Sequence, residues 1–199
     1  MTERFADRFA DLIPSLQERY DATGRAYHNW SHIQSLLNLY EDLLAVFRDP
    51  ATVEIALYYH DVIYVPGSKT NESDSAKAMI QELSGRARAE EITAAATIIN
   101  ATAAHAVPDG TNQSLAEDCA LFLDMDLAIL STDAATFDAY DHNIRQEFSM
   151  VPDEIYHPGR RKIMQSFLER DRIYLTDRFH VSHDARAREN LRRLVERLS

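Results

Sequence analysis

Residues 58-YYHDVIY-64 place a histidine and an aspartate side by side inside an apolar run. Burying either group without a partner is costly, so the pair needs an explanation. The surrounding residues recur at steps of three and four, as on one face of a helix: Val53, Ala56, Leu57, His60 and Tyr64. We therefore predict a helix over residues 51–64, with His60 on the core-facing stripe and Asp61 about 100° round from it.

The rest of the chain shows the same helical character. Only 5 Gly and 6 Pro occur in 199 residues, and segments with helical period alternate with polar breaks, the longest at 65–74 and 107–113. No alternating strand pattern of useful length is present. We predict an all-α bundle of seven to nine helices, folded as a single domain over residues 1–199.

Charge and cysteine content restrict the partners and the compartment. The formal net charge is −11, which argues against binding to a nucleic-acid polymer or to an anionic membrane surface. Cys119 is the one cysteine, so an internal disulfide is excluded and a reducing compartment is favoured. Without a signal peptide or a membrane-spanning run, we predict a cytoplasmic protein. The oligomeric state stays open at this point.

A pair of histidines lies in 27-YHNWSHI-33, where His28 and His32 are four residues apart. On a helix, side chains at this spacing share one face, a geometry used by metal sites with two histidines. His32 also adjoins the apolar stripe that continues through Ile33 and Leu36, so we predict that it faces inward. Exposed helices produce this spacing by chance, and the pair alone is weak evidence.

A carboxylate also lies on an apolar stripe, in 115-LAEDCALFLDMDLAIL-130. The period selects Asp126 as the inward carboxylate and assigns Asp124 to a supporting or surface position. An aspartate centred on an apolar stripe must be paired or metal-bound, because burying it ionised and alone is prohibitive.

Candidate metal ligands therefore come from several helices. His105 ends the apolar stripe of a predicted helix over 90–105, so we expect it to face inward as well. Each such residue alone could be a satisfied core residue. Together they have the composition of a buried transition-metal site, in which neutral imidazoles and carboxylates surround the ion. The full set is His32, His60, Asp61, Asp126 and His105.

These motifs resemble those of a known family. The order of His32, the His60-Asp61 pair and Asp126 is similar to that in the HD superfamily of metal-dependent phosphohydrolases. The segment YHNWSH resembles the YHNxxH signature of cyclic-nucleotide phosphodiesterases, which belong to that superfamily. Nearly the full length of the chain resembles a bacterial group known only as predicted HD phosphohydrolases, through HDVIYVPGSKTNES, LFLDMDLAILS, IRQEF and GRRKIM.

The resemblance implies an HD-domain helical bundle and a set of roles. His28 would be the general acid toward the leaving oxygen. The implied cofactor is a divalent transition metal, namely Mn, Fe, Co, Ni or Zn. Its ligands would be His32, His60, Asp61 and Asp126.

One departure from the family bears on the number of ions. HD enzymes with two metals usually carry two further histidines between the HD pair and the last aspartate. In this chain only His105 lies between Asp61 and Asp126. We therefore expect one tightly held ion, with His105 contacting phosphate or holding a weak second ion, for which Mg is the candidate.

The implied activity is hydrolysis of a phosphoester or phosphoanhydride bond in a small phosphorylated molecule, with a nucleotide as the expected class. Asp61 could orient the attacking water beside the metal. Lys69 and Asn71 are candidates for phosphate contacts, and Glu72 for a base. Alternatively, residues 71–76 merely start the next helix with polar caps. Arg145 is a further candidate for phosphate binding, or an ordinary solvated residue.

Two other functions stay open on the sequence. Some HD-fold proteins hold two irons and are oxygenases, but they need more histidine ligands than this chain offers. A nucleotide-sensing HD module without turnover is the other alternative. The complete ligand set and the presence of His28 argue against it.

Overall fold

The computed structural model describes residues 3–199, and every regular element in that range is helical. The all-α prediction is confirmed, with ten α-helices where seven to nine were expected. The first helix has four residues, which is too short to show a period. The helices are α1 Phe5–Arg8, α2 Ile13–Tyr20, α3 Trp30–Leu43, α4 Pro50–Tyr59, α5 Asn71–Leu83, α6 Ala89–Ala101, α7 Gln113–Asp126, α8 Ala134–Glu147, α9 Asp153–Leu168 and α10 Asp177–Arg197, with a 3₁₀ helix at Leu127–Ser131.

The helices form two compact units. The first unit ends at Met125, and the second spans Asp126–Ser199. In the first unit α4 contacts α1, α3, α5 and α6, whereas in the second α10 contacts α9 and the 3₁₀ helix. The prediction of a single domain stays a prediction. Within the described range, no helix is both long enough and apolar enough to cross a bilayer.

Helix α4 is the central element of the first unit. Asp49 caps its start by accepting hydrogen bonds from the Thr52 N–H and hydroxyl, and Pro50 occupies the first turn. Every residue of α4 from Thr52 to Tyr59 is buried, as expected for a helix that neighbours surround on all sides. Glu54, buried in its middle, accepts hydrogen bonds from the Arg4 guanidinium and from the Phe5 N–H.

Helix α4 ends earlier than the period predicts. It stops at Tyr59, and His60 is its cap residue, with an N–H that donates to the Ala56 carbonyl oxygen. His60 and Asp61 therefore lie on a turn, and the predicted helix over 51–64 is too long. Because His60 and Asp61 are outside the helix, their side chains are not held about 100° apart as on a helix, and they can approach one another.

Candidate metal centre

Three of the predicted ligands meet in the first unit. The Nε2 atoms of His32 and His60 are 3.2 Å apart, and His60 Nε2 is 3.2 Å from Asp61 Oδ2. One ligand atom from each of the three residues lies within 4.8 Å of the other two. Both histidines are buried, while the Asp61 side chain keeps 16% of its surface exposed. Two imidazoles and a carboxylate thus converge at a point that solvent reaches from the side of Asp61.

The hydrogen bonding of His60 sets its tautomer. His60 Nδ1 is 3.0 Å from the carbonyl oxygen of Leu57, one turn earlier in the chain. A carbonyl oxygen only accepts, so Nδ1 carries the proton and donates it. The lone pair is then on Nε2, the atom that faces His32 and Asp61. A bond of this kind to the outer ring nitrogen orients most metal-binding histidines.

His32 is positioned by the start of α3. The helix begins at Trp30, and its cap is Asn29, whose side-chain oxygen accepts from the backbone N–H groups of Ser31 and His32. His28 therefore lies before the helix, and the prediction that His28 and His32 share a helical face is wrong. The physical reason is the cap, which requires extended backbone at Asn29.

His28 is held beside the ligands by aromatic contacts. Its ring stacks on the Tyr64 ring, with centroids 4.1 Å apart and an interplanar angle of 29°. Its centroid lies 6.3 Å from that of His32, with the two rings nearly perpendicular. His28 is half-buried, so its ring is close to the ligand cluster and also accessible from solvent.

Arg25 joins the two backbone segments that carry these residues, and the sequence did not single it out. Its Nη1 donates to the carbonyl oxygens of His28, at 3.0 Å, and Asp61, at 2.7 Å. Its Nη2 donates to the Val62 carbonyl oxygen at 3.0 Å. The guanidinium also lies over the rings of Tyr20 and Tyr64. An arginine in a short polar break is usually solvated, so no pattern in the sequence distinguished this one.

Tyr20 supports the same turn from the core. Its hydroxyl donates to the Tyr58 carbonyl oxygen at 3.1 Å and accepts from the Asp61 N–H at 3.3 Å. Complete burial, with Asp61 nearby, raises the pKa of Tyr20 well above its ordinary value, so the hydroxyl stays protonated. The turn is thus anchored on both sides, by Arg25 and by Tyr20.

The predicted phosphate contacts after the HD pair have different surroundings. The Asn71 side chain donates to the Val65 carbonyl oxygen and accepts from the Val65 N–H, both at 3.0 Å. These bonds use both ends of the amide and favour the structural alternative for Asn71 over a substrate contact. Lys69 is exposed, and Glu72 is half-buried in the first turn of α5. The roles of Lys69 and Glu72 stay predictions.

The burial of the two aspartates in 124-DMD-126 differs from the expectation. Asp124 is 0% exposed, whereas Asp126, the last residue of α7 and the first of the second unit, is half-buried. The sequence predicted a supporting or a surface position for Asp124, and the surface position is wrong. All residues from Leu121 to Met125 are buried, so the C-terminal part of α7 is enclosed on every side and its period cannot identify an inward face there. Whether Asp126 binds metal stays a prediction.

His105 lies beyond the helix predicted to carry it. Helix α6 ends at Ala101, and His105 follows in a turn with a φ of +45°, while the Ala106 N–H donates to the Ala101 carbonyl oxygen. The predicted helix over 90–105 is therefore too long, and the turn, not a helical face, places His105 in its half-buried position. A residue other than glycine in the left-handed region is strained, and such strain concentrates at functional sites.

Arg145 lies in the second unit and holds the connection between α8 and α9. Its guanidinium donates to the carbonyl oxygens of Phe148 and Val151 and to Asp153 Oδ1. It also lies over the Tyr156 ring. These contacts use most of its donors and favour a structural role over a phosphate contact, which stays a prediction.

Comparisons with known proteins do not identify the family of this chain. No protein-family model, no curated protein and no solved structure matches it. The likeness to HD phosphohydrolases therefore rests on the motifs, and what the site can do is inferred from its own residues.

Proposed function

We propose that the chain is a metal-dependent phosphohydrolase that acts on a small phosphorylated molecule, with nucleotides as the first class to test. The observation that carries the proposal is the convergence of His32 Nε2, His60 Nε2 and Asp61 Oδ2, with the His60 proton directed away from the cluster. Two neutral imidazoles and a carboxylate suit a divalent ion such as Mn, Fe, Co, Ni or Zn.

The spacing of these atoms supports a metal ion. Two ligand bonds of about 2.1 Å that meet at about 100° place their donor atoms about 3.2 Å apart. This matches the distances from His60 Nε2 to its two neighbours. A divalent ion would also supply the positive charge that a phosphorylated substrate needs near a chain with a net charge of −11.

For the fourth ligand we infer Asp124 in place of Asp126. Asp124 belongs to the same unit as the other three ligands, and its carboxylate is removed from solvent. Helix α7 contacts His60 through Phe122, whose ring centroid is 5.6 Å from that of the imidazole. A buried carboxylate is stable only with a compensating charge or full hydrogen bonding, and a metal ion provides such a charge.

The reaction follows from the residues around this point. A bound divalent ion would polarise the phosphoryl group and lower the pKa of a water molecule. Asp61 accepts a hydrogen bond from the attacking water and orients it. His28, held against Tyr64 at the open edge of the cluster, donates a proton from its ring to the leaving oxygen. Arg25 keeps the segments carrying His28 and Asp61 in register through their carbonyl oxygens.

The test combines metal analysis with a substrate screen. Purified protein is dialysed against each candidate metal, analysed for bound ions and assayed against nucleotides, cyclic nucleotides and sugar phosphates. We expect one bound transition ion per chain and turnover of at least one substrate. Asp61→Ala should abolish both, because it removes a ligand and the group that orients water.

The control is His142→Ala, which removes an exposed histidine of the second unit and should leave both readouts unchanged. Metal-dependent nucleotide binding without turnover by any substrate would contradict hydrolysis and indicate a sensing module. An iron pair with oxygen consumption would indicate an oxygenase.

A further inference from the structure

Two hydrogen-bond donors of α9 are buried in the second unit without an acceptor. Tyr156 is 7% exposed and Arg160 is 8% exposed. Neither the Tyr156 hydroxyl nor Arg160 Nη2 has a hydrogen-bond partner within residues 3–199. The two residues are four positions apart, so they lie on one face of α9, one turn from each other. Buried polar groups normally have partners, and two neighbouring exceptions point to a ligand that serves both.

The chemistry of the two groups defines what is missing. A guanidinium is always charged and carries donors only. Burial raises the pKa of Tyr156 to about 12, and the nearby Arg160 charge opposes the rise. The phenol therefore keeps its proton at neutral pH and can donate it. A ligand that satisfies both groups must accept two hydrogen bonds, and a cation would be repelled by the guanidinium.

The charges around Arg160 are not balanced. Asp141 Oδ1 accepts from Arg160 Nε at 3.2 Å, and Asp141 Oδ2 accepts from Arg197 Nη2 at 2.7 Å. Asp138 accepts from both Arg193 and Arg197. This Arg-Asp cluster has three arginines and two aspartates, which gives +1 by subtraction. The Arg160 side chain is 8% exposed, against 40% for Arg193 and 49% for Arg197, so the excess charge is least hydrated at Arg160.

An anion fits this position better than a water molecule. Water could accept both hydrogen bonds, but its own hydrogens would then need acceptors, and the excess charge would remain. An anion accepts both bonds and supplies the missing charge, and bonds between charged groups are the stronger ones. Because both donor atoms are buried, the ion must be small, which favours a halide over phosphate.

We propose that the second unit binds one small monovalent anion, with chloride as the expected ion, between the Tyr156 hydroxyl and Arg160 Nη2. The anion balances the charge of the Arg-Asp cluster. Since that cluster joins side chains of α8, α9 and α10, the bound ion stabilises the packing of these helices. The site is independent of the proposed chemistry in the first unit.

Replacement of chloride at constant ionic strength tests the proposal in solution. Urea unfolding is followed by circular dichroism in mixtures of sodium chloride and sodium isethionate, whose anion is too bulky to enter a buried site. Stability should rise with the chloride concentration, because the ion binds the folded state, and the dependence gives the chloride Kd. Tyr156→Phe removes one donor and keeps the ring, so this Kd should rise about tenfold.

The matched control is Tyr174→Phe. Tyr174 is also buried in the second unit, but its hydroxyl donates to the Leu127 carbonyl oxygen. This variant loses a buried hydroxyl as well and should keep the wild-type chloride Kd. An equal change of the chloride Kd in the two variants, or a wild type whose stability does not depend on chloride, would overturn the proposal.

Crystals grown in sodium bromide locate the ion directly through its anomalous scattering. We expect one peak within hydrogen-bond distance of both the Tyr156 hydroxyl and Arg160 Nη2, and a weaker peak or none in Tyr156→Phe. A water molecule at this position would overturn the proposal. Bromide found elsewhere on the protein would be an adventitious ion only and, without the peak at Arg160, would overturn it equally.

Discussion

At His60, the hydrogen bond that satisfies a carbonyl group at the end of helix α4 also fixes the tautomer of the imidazole. The last carbonyl groups of a helix have no partner within it. The Leu57 carbonyl oxygen accepts from His60 Nδ1, and the Asp61 N–H donates to the Tyr20 hydroxyl. The end of the helix thus orients one ligand and, through Tyr20, positions the next.

The first prediction at this scale separates the two aspartates of 124-DMD-126. Asp124→Asn should lower the affinity for a transition ion at least tenfold, because it removes a charged ligand from a buried position. Asp126→Asn should change it less than threefold, since this carboxylate is half-buried. Equilibrium dialysis with Mn or Co measures both. The reverse order of effects would return the ligand role to Asp126.

The second prediction concerns the Tyr20 hydroxyl. Tyr20→Phe leaves the Tyr58 carbonyl and the Asp61 N–H without this partner, so the free energy of unfolding should fall by about 1–3 kcal/mol. Metal affinity should fall with it, because the turn that carries Asp61 loosens.

The matched control for Tyr20→Phe is Tyr174→Phe. Tyr174 is also fully buried, and its hydroxyl donates to the Leu127 carbonyl oxygen in the second unit. The Tyr174→Phe variant should lose a similar amount of unfolding free energy, measured in urea, and should keep its metal affinity. Equal loss of metal affinity in the two variants would refute a specific role for Tyr20.

At the scale of elements, the loop before α3 and the turn after α4 act together. The loop carries His28, the turn carries His60 and Asp61, and Arg25 donates to carbonyl oxygens in both. A single side chain therefore determines how the proposed acid lies relative to the proposed ligands.

Arg25→Gln should impair the site more than the fold. We expect the metal Kd to rise about tenfold or more, because the segment that holds Asp61 loses two donors, and the unfolding free energy to fall by about 1–3 kcal/mol. Titration calorimetry with Mn and urea unfolding of the metal-free protein measure the two effects.

Arg188→Gln is the control for Arg25. Arg188 donates to the carbonyl oxygens of Leu168, Arg170 and Asp171 in the second unit, and it also pairs with the Asp184 carboxylate. Its replacement should lower stability and leave metal binding unchanged. If the two variants behave alike, Arg25 is a structural residue only.

For the molecule as a whole, buried ion pairs link stability to pH. Glu91 is 3% exposed, and hydrogen bonds from Arg8 and Arg88 lower the pKa of its carboxyl from 4.5 to about 2. These bonds fasten α1 to the start of α6. A lowered acid pKa stabilises the fold above pH 4.5, and this contribution is lost as the pH falls toward 2.

Because the pKa of Glu91 is lowered in the folded protein, stability should fall as the pH is reduced. Between pH 5 and pH 3 the wild type should lose about 2 kcal/mol of stability through Glu91. Glu91→Gln should be less stable at pH 7 and should lack this part of the pH dependence. The exposed neighbour provides the control, since Glu90→Gln should follow the wild-type curve. Urea unfolding at a series of pH values gives the comparison.

Sequence period was a good guide to the elements because helix formation depends on neighbours three and four residues away. It predicted an all-α chain, the polar break at 107–113 before α7, and inward positions for His32 and His60. It failed where long-range packing decides. It could not place the inward face at the C-terminal end of α7, where every residue from Leu121 to Met125 is buried.

The sequence by itself determined the all-helical architecture and the types of the candidate ligands, since both follow from local composition and spacing. Only the tertiary structure decided that α4 ends at Tyr59, that Asp124 is buried and that Arg25 joins two segments. The reason is that these features depend on groups distant in sequence, such as the Tyr20 hydroxyl against the Asp61 N–H. The pair in YYHDVIY faces one point because the chain leaves the helix there.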